Sequence, residues 1–331
     1  MGENQASRGV ILPSVSIAAM LGLADLRTAS EKLRPYVRRT PLLRAEPLRR
    51  PVPAAALWLK LESLQVTGSF KTRGAVHKVL TLPPEQARRG LVTASGGNHG
   101  LGVAYAGHRL GAPVVIYLPA NAPRSKAEKL ETWGARVIWE GDVWDDSDRA
   151  AREAAEREGW TYIHSFCDPA VIAGQGTIGL EIFEEQPEID LLLVAIGGGG
   201  LISGVATAAK AMRPEVRVVG VEPVGAPTLY ESVRAGSVIE LPRVTTAANT
   251  LAPRRSAELN LAIIQDKVDE IVLVDDDEMR DAARWLWFET GVAAELSGAA
   301  AVAALLAGRV AAEGLRACAV ICGAGTDGLT S

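Results

Sequence analysis

The chain has 331 residues, 48% hydrophobic and 22% charged, an ordinary composition for a folded protein with room for more than one lobe. Its 35 Lys and Arg against 39 Asp and Glu leave a net charge of −4, which offers no electrostatic footprint for nucleic acid or an anionic membrane. The three cysteines, Cys167, Cys318 and Cys322, form no CxxC pair and no metal-spaced set with the four histidines, so a zinc fold is excluded and a reduced, cytoplasmic setting is expected.

The first apolar stretch, 10–24, is interrupted by Pro13 and serines and has little positive charge ahead of it, so it does not read as a targeting segment. No stretch has the length and polarity of a membrane span. Strands are expected at 57–61, 91–95, 114–118, 137–139, 161–164, 191–196, 216–222, 271–274 and 317–322. Helices are expected between them at 98–110, 124–133, 145–158, 201–212, 277–289 and 298–313. Almost wholly apolar strands alternating with helices predict parallel sheets covered on both faces. The basic pairs Arg49-Arg50 and Arg88-Arg89 read as solvated faces, and no repeat, low-complexity tract or Pro-rich linker divides the chain.

Four short segments carry the chemistry. The first is Thr67-Gly68-Ser69-Phe70-Lys71-Thr72-Arg73-Gly74. A lysine alone is usually a solvated charge; in a pocket beside an anion-binding loop it becomes a Schiff-base nucleophile. The tetrad Gly197, Gly198, Gly199 and Gly200 leads into Leu201 and a helix, where bare amides and the helix dipole suit a single phosphate. It lacks the Lys-Ser/Thr of nucleoside triphosphate loops and the spacing of dinucleotide loops. The others are Ser95-Gly96-Gly97-Asn98-His99 and Cys322-Gly323-Ala324-Gly325. The serine loop, the tetrad, Glu222 and Cys322 all fall at carboxyl ends of expected strands, where open α/β sheets place ligands. Glu295 is an acid inside an apolar stretch, read either as a polar pocket partner or as an exposed helix start.

Together these segments resemble the fold type II pyridoxal-phosphate (PLP) enzymes, in particular the serine/threonine dehydratases of catabolic type, from about 23 to 329. The resemblance implies a two-lobed α/β fold like that of the tryptophan synthase β chain. Residues 1–89 and 168–331 would form a large PLP-binding domain, and 90–167 a small inserted α/β domain. It implies that Lys71 holds the cofactor aldehyde and serves as base, with Phe70 packed on the pyridine ring. Gly197, Gly198, Gly199, Gly200 and Leu201 would hold the phosphate. Ser95, Gly96, Gly97, Asn98 and His99 would form the substrate-carboxylate loop, Asn98 also reaching the phenolic oxygen. Glu295 would lie beside the cofactor and Cys322 against the pyridine nitrogen. A thiol there cannot keep that nitrogen protonated, which suits β-elimination and disfavours transamination. Bland readings stand beside these: His99 as a helix-start residue packing the loop, Cys322 as a core cysteine, Arg73 as structural.

The expected activity is dehydration of L-threonine or L-serine to a 2-oxo acid and ammonia by a homodimer acting on small hydroxy amino acids. Dehydration of another threo-3-hydroxy amino acid, such as hydroxyaspartate or phenylserine, stays open, as do serine racemisation and a non-catalytic module binding PLP or amino acid. Cysteine synthases carry Thr where His99 stands, and tryptophan synthase β chains carry His where Phe70 stands. Leu296 replaces a family proline, Ala248-Asn249-Thr250 replaces Ala-Asp-Gly, and Gly325-Thr326-Asp327 replaces an Asn turn. Gly96 stands where racemases carry a serine. Glu222 and the Ala226 carbonyl match part of a family cation site whose second acid falls on Thr228. A divalent ion is therefore not expected, and a monovalent one stays open. The chain closes soon after Cys322, so no regulatory domain and no isoleucine feedback are expected.

Overall fold

A computed structural model describes residues 21–46 and 48–329; all but the last four residues of the apolar stretch at 10–24 lie outside them. Two sheets form, and the residues between strands explain both. Strands β2 (Ala56–Lys60), β7 (Leu191–Ala195), β8 (Arg217–Pro223), β9 (Glu270–Val274) and β10 (Arg316–Val320) run parallel, and the short edge strand β1 (Leu42–Arg44) joins β2 antiparallel. Their order is β1-β2-β10-β7-β8-β9. The second sheet, all parallel, is β5 (Arg136–Trp139), β4 (Val114–Leu118), β3 (Leu91–Ala94) and β6 (Thr161–Tyr162) in that order. Strand β7, Leu-Leu-Leu-Val-Ala, is buried throughout, as an inner strand of a parallel sheet must be. The α/β class with parallel-rich sheets matches the expectation.

Helix α8 (Gly200–Met212) and helix α12 (Leu296–Leu306) both pack against β7 and β8, and α11 (Asp276–Thr290) backs α12. Helix α11 starts on a capping box: Asp275 accepts from the Glu278 amide at 2.8 Å and Glu278 accepts from the Asp275 amide at 2.9 Å. It stops at Gly291, in the left-handed region at φ 70°. Around the smaller sheet lie α4 (Asn98–Leu110), α5 (Arg124–Thr132) and α6 (Trp144–Glu158). Helix α2 (Lys71–Leu80) packs on both α4 and α7 (Pro169–Glu185), so it touches the helical layers of both sheets.

Several expected boundaries are corrected, among them the strand expected at 317–322, which spans Arg316–Val320. The strand expected at 161–164 ends at Tyr162, because the His164 side chain takes the amides of the next turn. The helix expected at 298–313 ends at Leu306, where Gly308 at φ 65° turns the chain. Helix α7 was not expected; it is apolar nearly all round and buried over 171–183, so no amphipathic period marks it. Among the described residues no helix is long and apolar enough to cross a membrane.

Candidate active site

The site is built from turns at the carboxyl ends of β2, β3, β6, β7 and β10. After β2 the chain makes two short 3-10 turns, and Thr67 within the second is the only described non-glycine residue at positive φ, 67°. Such a conformation costs a β-branched residue about 1–3 kcal/mol, so the surroundings must hold it. They do: Thr72 Oγ1 donates to the Val66 carbonyl at 2.7 Å and also meets Thr67 Oγ1 at 2.7 Å. Ser69 then bridges to Gly323, and the Phe70 amide donates to the Cys322 carbonyl at 3.2 Å. This stitching to the end of β10 delivers Lys71 as the first residue of α2.

Lys71 Nζ donates to the Ser165 carbonyl at 2.7 Å and sits 5.2 Å from the centroid of the Phe70 ring. The residue keeps a little exposed surface, but protein crowds the ammonium. Burial lowers its pKa to about 8, outweighing the nearby carboxylate of Glu295. A substantial neutral fraction near neutral pH is what a nucleophile and base needs.

The glycine tetrad lies across the strap that carries Ser165. A Cβ on Gly198 would fall 2.2 Å from the Phe166 ring, one on Gly200 2.8 Å from the Phe166 backbone, and one on Gly197 2.8 Å from the Thr250 carbonyl. Gly199 stands at φ 89°. Side chains are thus excluded from the turn for packing as well as conformational reasons. Its amides, with those of Leu201 and Ile202 at the start of α8, are donors of the kind that bind anions at helix N-termini. Ser256 Oγ donates to the Gly198 carbonyl at 3.0 Å and holds the loop from outside.

At the end of β3, Ser95 Oγ accepts from the Gly97 amide at 3.3 Å, and Asn98 begins α4. Asn98 Nδ2 donates 2.8 Å to Glu295 Oε1, which also accepts from Thr250 Oγ1 at 3.5 Å. Burial raises the Glu295 pKa, aided by Asp327 and opposed by Ser297, Asn98 and Thr250. Glu295 stands at the start of α12, bonded to Asn98 and Thr250 rather than exposed. Cys322, buried at the end of β10, donates its thiol to the Ser297 carbonyl at 3.4 Å. Burial drives its pKa above the ordinary thiol value, so it is a neutral thiol.

Other singled-out residues fall elsewhere. The His99 side chain points away into the core, donating from Nε2 to the Ile163 carbonyl at 2.9 Å, and burial lowers its pKa to about 3. This is the packing reading; only its backbone stays with the loop. Arg73 is 1% exposed and bonded to Glu62 and Glu181, two carboxylates of the core. Glu222 has both oxygens taken by the Leu229 and Tyr230 amides, at 2.9 and 2.7 Å, at the start of α9 (Thr228–Ala235). Thr228 Oγ1 turns instead to the Pro253 carbonyl, so Glu222 serves here as a helix anchor. Among the described residues no group of three or more His, Cys, Asp or Glu could hold a metal ion. Sequence reasoning missed Ser165, Phe166, Ser256 and Ser297; Ser165 and Phe166 follow an expected strand end and could have been found by that rule.

A family model described as pyridoxal-phosphate dependent enzyme matches residues 33–323. An L-threonine ammonia-lyase of Thermotoga maritima is 41% identical over 93% of this chain and 76% of its own. A serine racemase of Oryza sativa subsp. japonica is 38% identical over 92% of this chain and 89% of its own. The solved structure of the processed form of threonine deaminase isoform 2 from Solanum lycopersicum superposes with a TM-score of 0.88 at 34% identity, covering 92% of this chain and 83% of that one. The chain belongs to the pyridoxal-phosphate-dependent enzymes, and PLP is its cofactor. The residues present fit that group: a lysine of depressed pKa is tied through Ser165 and Phe166 to a glycine turn that admits no side chain, and through Phe70 to a buried neutral thiol.

Proposed function

We propose that this PLP enzyme is an ammonia-lyase that dehydrates L-threonine or L-serine to the 2-oxo acid and ammonia, as the names of its relatives suggest. The observation that carries the reading is Lys71, its pKa lowered to about 8 and its Nζ 2.7 Å from Ser165 O beside the glycine cradle. Bound PLP supplies an electron sink for the pair left when the α-proton is removed. Lys71 removes and holds that proton. Gly197, Gly198, Gly199, Gly200 and Leu201 bind the phosphate, and Phe70 flanks the ring. Ser95 with the Gly96, Gly97, Asn98 and His99 amides binds the substrate carboxylate. Asn98 and Glu295 hold the phenolic edge. The neutral Cys322 thiol would offer no negative charge to hold a proton on the ring nitrogen, which would favour loss of the β-hydroxyl over transamination. Lobe limits of 90–167 for the smaller unit, inserted between 1–89 and 168–331, agree with the sheet membership of the strands. The enzyme acts as a homodimer in the cytoplasm.

Racemisation of serine is the second reading, favoured by relatives of that name. Gly96 speaks against it, having no hydroxyl to return a proton on the face opposite Lys71. The test is 2-oxo acid release from PLP-loaded protein given L-threonine, L-serine, threo-3-hydroxyaspartate and threo-phenylserine, with D-serine assayed in parallel. Release from threonine or serine is expected, and Lys71→Ala should abolish it. D-serine without 2-oxo acid would replace this reading with the second. Silence on all four would remove the dehydratase assignment.

A further inference from the structure

Between β6 and α7 the chain passes from the smaller sheet to the larger through residues 163–168, and this strap is tied at nearly every residue. The Ile163 carbonyl accepts from Thr93 Oγ1 at 3.0 Å and His99 Nε2 at 2.9 Å. The Ser165 carbonyl accepts from Lys71 Nζ at 2.7 Å. The Phe166 carbonyl accepts from Asn260 Nδ2 at 3.2 Å, while its ring lies against Gly198 and its backbone against Gly200. Asp168 caps α7 through the Ala170 amide at 2.8 Å and pairs with Lys78 of α2 at 2.6 Å.

One side chain sets the turn at the middle of this strap. His164 Nδ1 accepts from the Phe166 amide at 3.2 Å and the Cys167 amide at 2.8 Å. Its ring meets the Phe166 ring edge-on, centroids 4.6 Å apart at 88°. Burial first, then Arg152 and Lys71, hold its pKa near 4. The ring is therefore neutral at working pH, with Nδ1 free to accept and the proton on Nε2. Without that acceptor, the Phe166 and Cys167 amides would have to find other partners or leave the turn. The Ser165 carbonyl and the Phe166 ring would move with them.

We propose that His164 is a positioning residue: by holding the two amides it places the Ser165 carbonyl at Lys71 and the Phe166 ring under the glycine cradle, keeping amine and anion site in register. The residue acts through Ser165 and Phe166, which its bonds to the Phe166 and Cys167 amides hold in place. The proposal rests on the reading of Lys71 as the group that captures the cofactor aldehyde.

The test separates the two ends of the strap. Full-length apoprotein is mixed with pyridoxal, which has the aldehyde but no phosphate, and capture by Lys71 (imine formation with loss of water) is followed by absorbance and fixed with borohydride. PLP retention is measured in parallel by dialysis. In His164→Asn the side-chain oxygen can occupy the Nδ1 position; in His164→Gln it lies one bond further out. His164→Ala and His164→Gln should each slow pyridoxal capture and weaken PLP retention by about tenfold or more, as misplacement near 1 Å does. His164→Asn should stay within about threefold of wild type, since it keeps the acceptor. If His164→Ala does not fold, the Asn and Gln variants decide alone. Equal impairment of Asn and Gln, unaltered capture in Gln, or loss of PLP retention with capture intact would each overturn the proposal. A wild-type protein that captures no more pyridoxal than a Lys71→Ala blank would instead overturn the Lys71 reading, and that result is distinguishable from the others.

Discussion

Replacing Arg73 by methionine removes the cation that bridges both carboxylates, Glu62 and Glu181, of the buried charge cluster beneath α2. Its guanidinium meets Glu62 at 2.8 Å through both Nε and Nη2, Glu181 at 2.7 and 2.9 Å, and Thr177 at 3.1 Å. Glu181 would keep Lys60 at 2.5 Å, but Glu62 would keep only the Thr40 hydroxyl at 2.5 Å. Leaving one buried carboxylate without its cation costs about 3–5 kcal/mol. At about 2.1 cal/mol/K per residue, 331 residues unfold with roughly 0.7 kcal/mol/K, so the melting midpoint should fall by about 4–7 °C. The pH dependence carries a sign. Burial alone would raise the Glu181 pKa, but Arg73 and Lys60 together bring it below the ordinary 4.5. Its contribution is therefore present above pH 4.5 and is lost as pH falls through the depressed folded value. The deficit of Arg73→Met should be largest at pH 7 and shrink in acid. Thermal melts followed by circular dichroism at pH 7 and pH 4 measure it. A midpoint equal to wild type at pH 7, or a deficit that grows in acid, would refute the reasoning.

Lys71 must be neutral to attack an aldehyde, so its rate of pyridoxal capture should rise with pH and level off above about 8; levelling only where free lysine does, about two units higher, would show that burial does not lower its pKa. Gly198→Ala would drive a Cβ to 2.2 Å from the Phe166 ring, an overpacking of about 1–3 kcal/mol, and should loosen PLP by about tenfold or more in a dialysis assay. Unaltered retention would mean that the loop yields freely. Burial raises Glu222 to about 8, a folded value above the ordinary 4.5, so its share of stability is full below pH 4.5 and lost as pH rises through 8. Melts of Glu222→Gln should then fall less than wild type between pH 5 and pH 8, and parallel curves would contradict that burial.

Much of the site was legible because its chemistry demands residues that stand out in a linear text. Four consecutive glycines, a lysine after Ser69-Phe70 and a cysteine closing an apolar run need no fold to be noticed. Their places at strand ends followed from period and polarity alone, and the strands at 114–118 and helix at 98–110 agree with the structure residue for residue. Glu295 and His99 each kept two readings, since nothing local decides whether a helix-start side chain faces a cleft or a core. Asn98 settles the first by its 2.8 Å bond, and the Ile163 carbonyl settles the second.

By itself the sequence determined the α/β class, the motif set and the family resemblance, all of which rest on local composition and spacing. The tertiary structure alone decided what meets what. It placed β10 between β2 and β7, so that Cys322 lies beside Phe70 across some 250 residues of chain. It made Arg73, Glu62, Glu181 and Lys60 a buried cluster, and it set the Ser165 carbonyl on Lys71. Pattern and propensity act over a turn or a strand, whereas these contacts depend on strand order and helix packing, which are settled by burial summed over the whole chain.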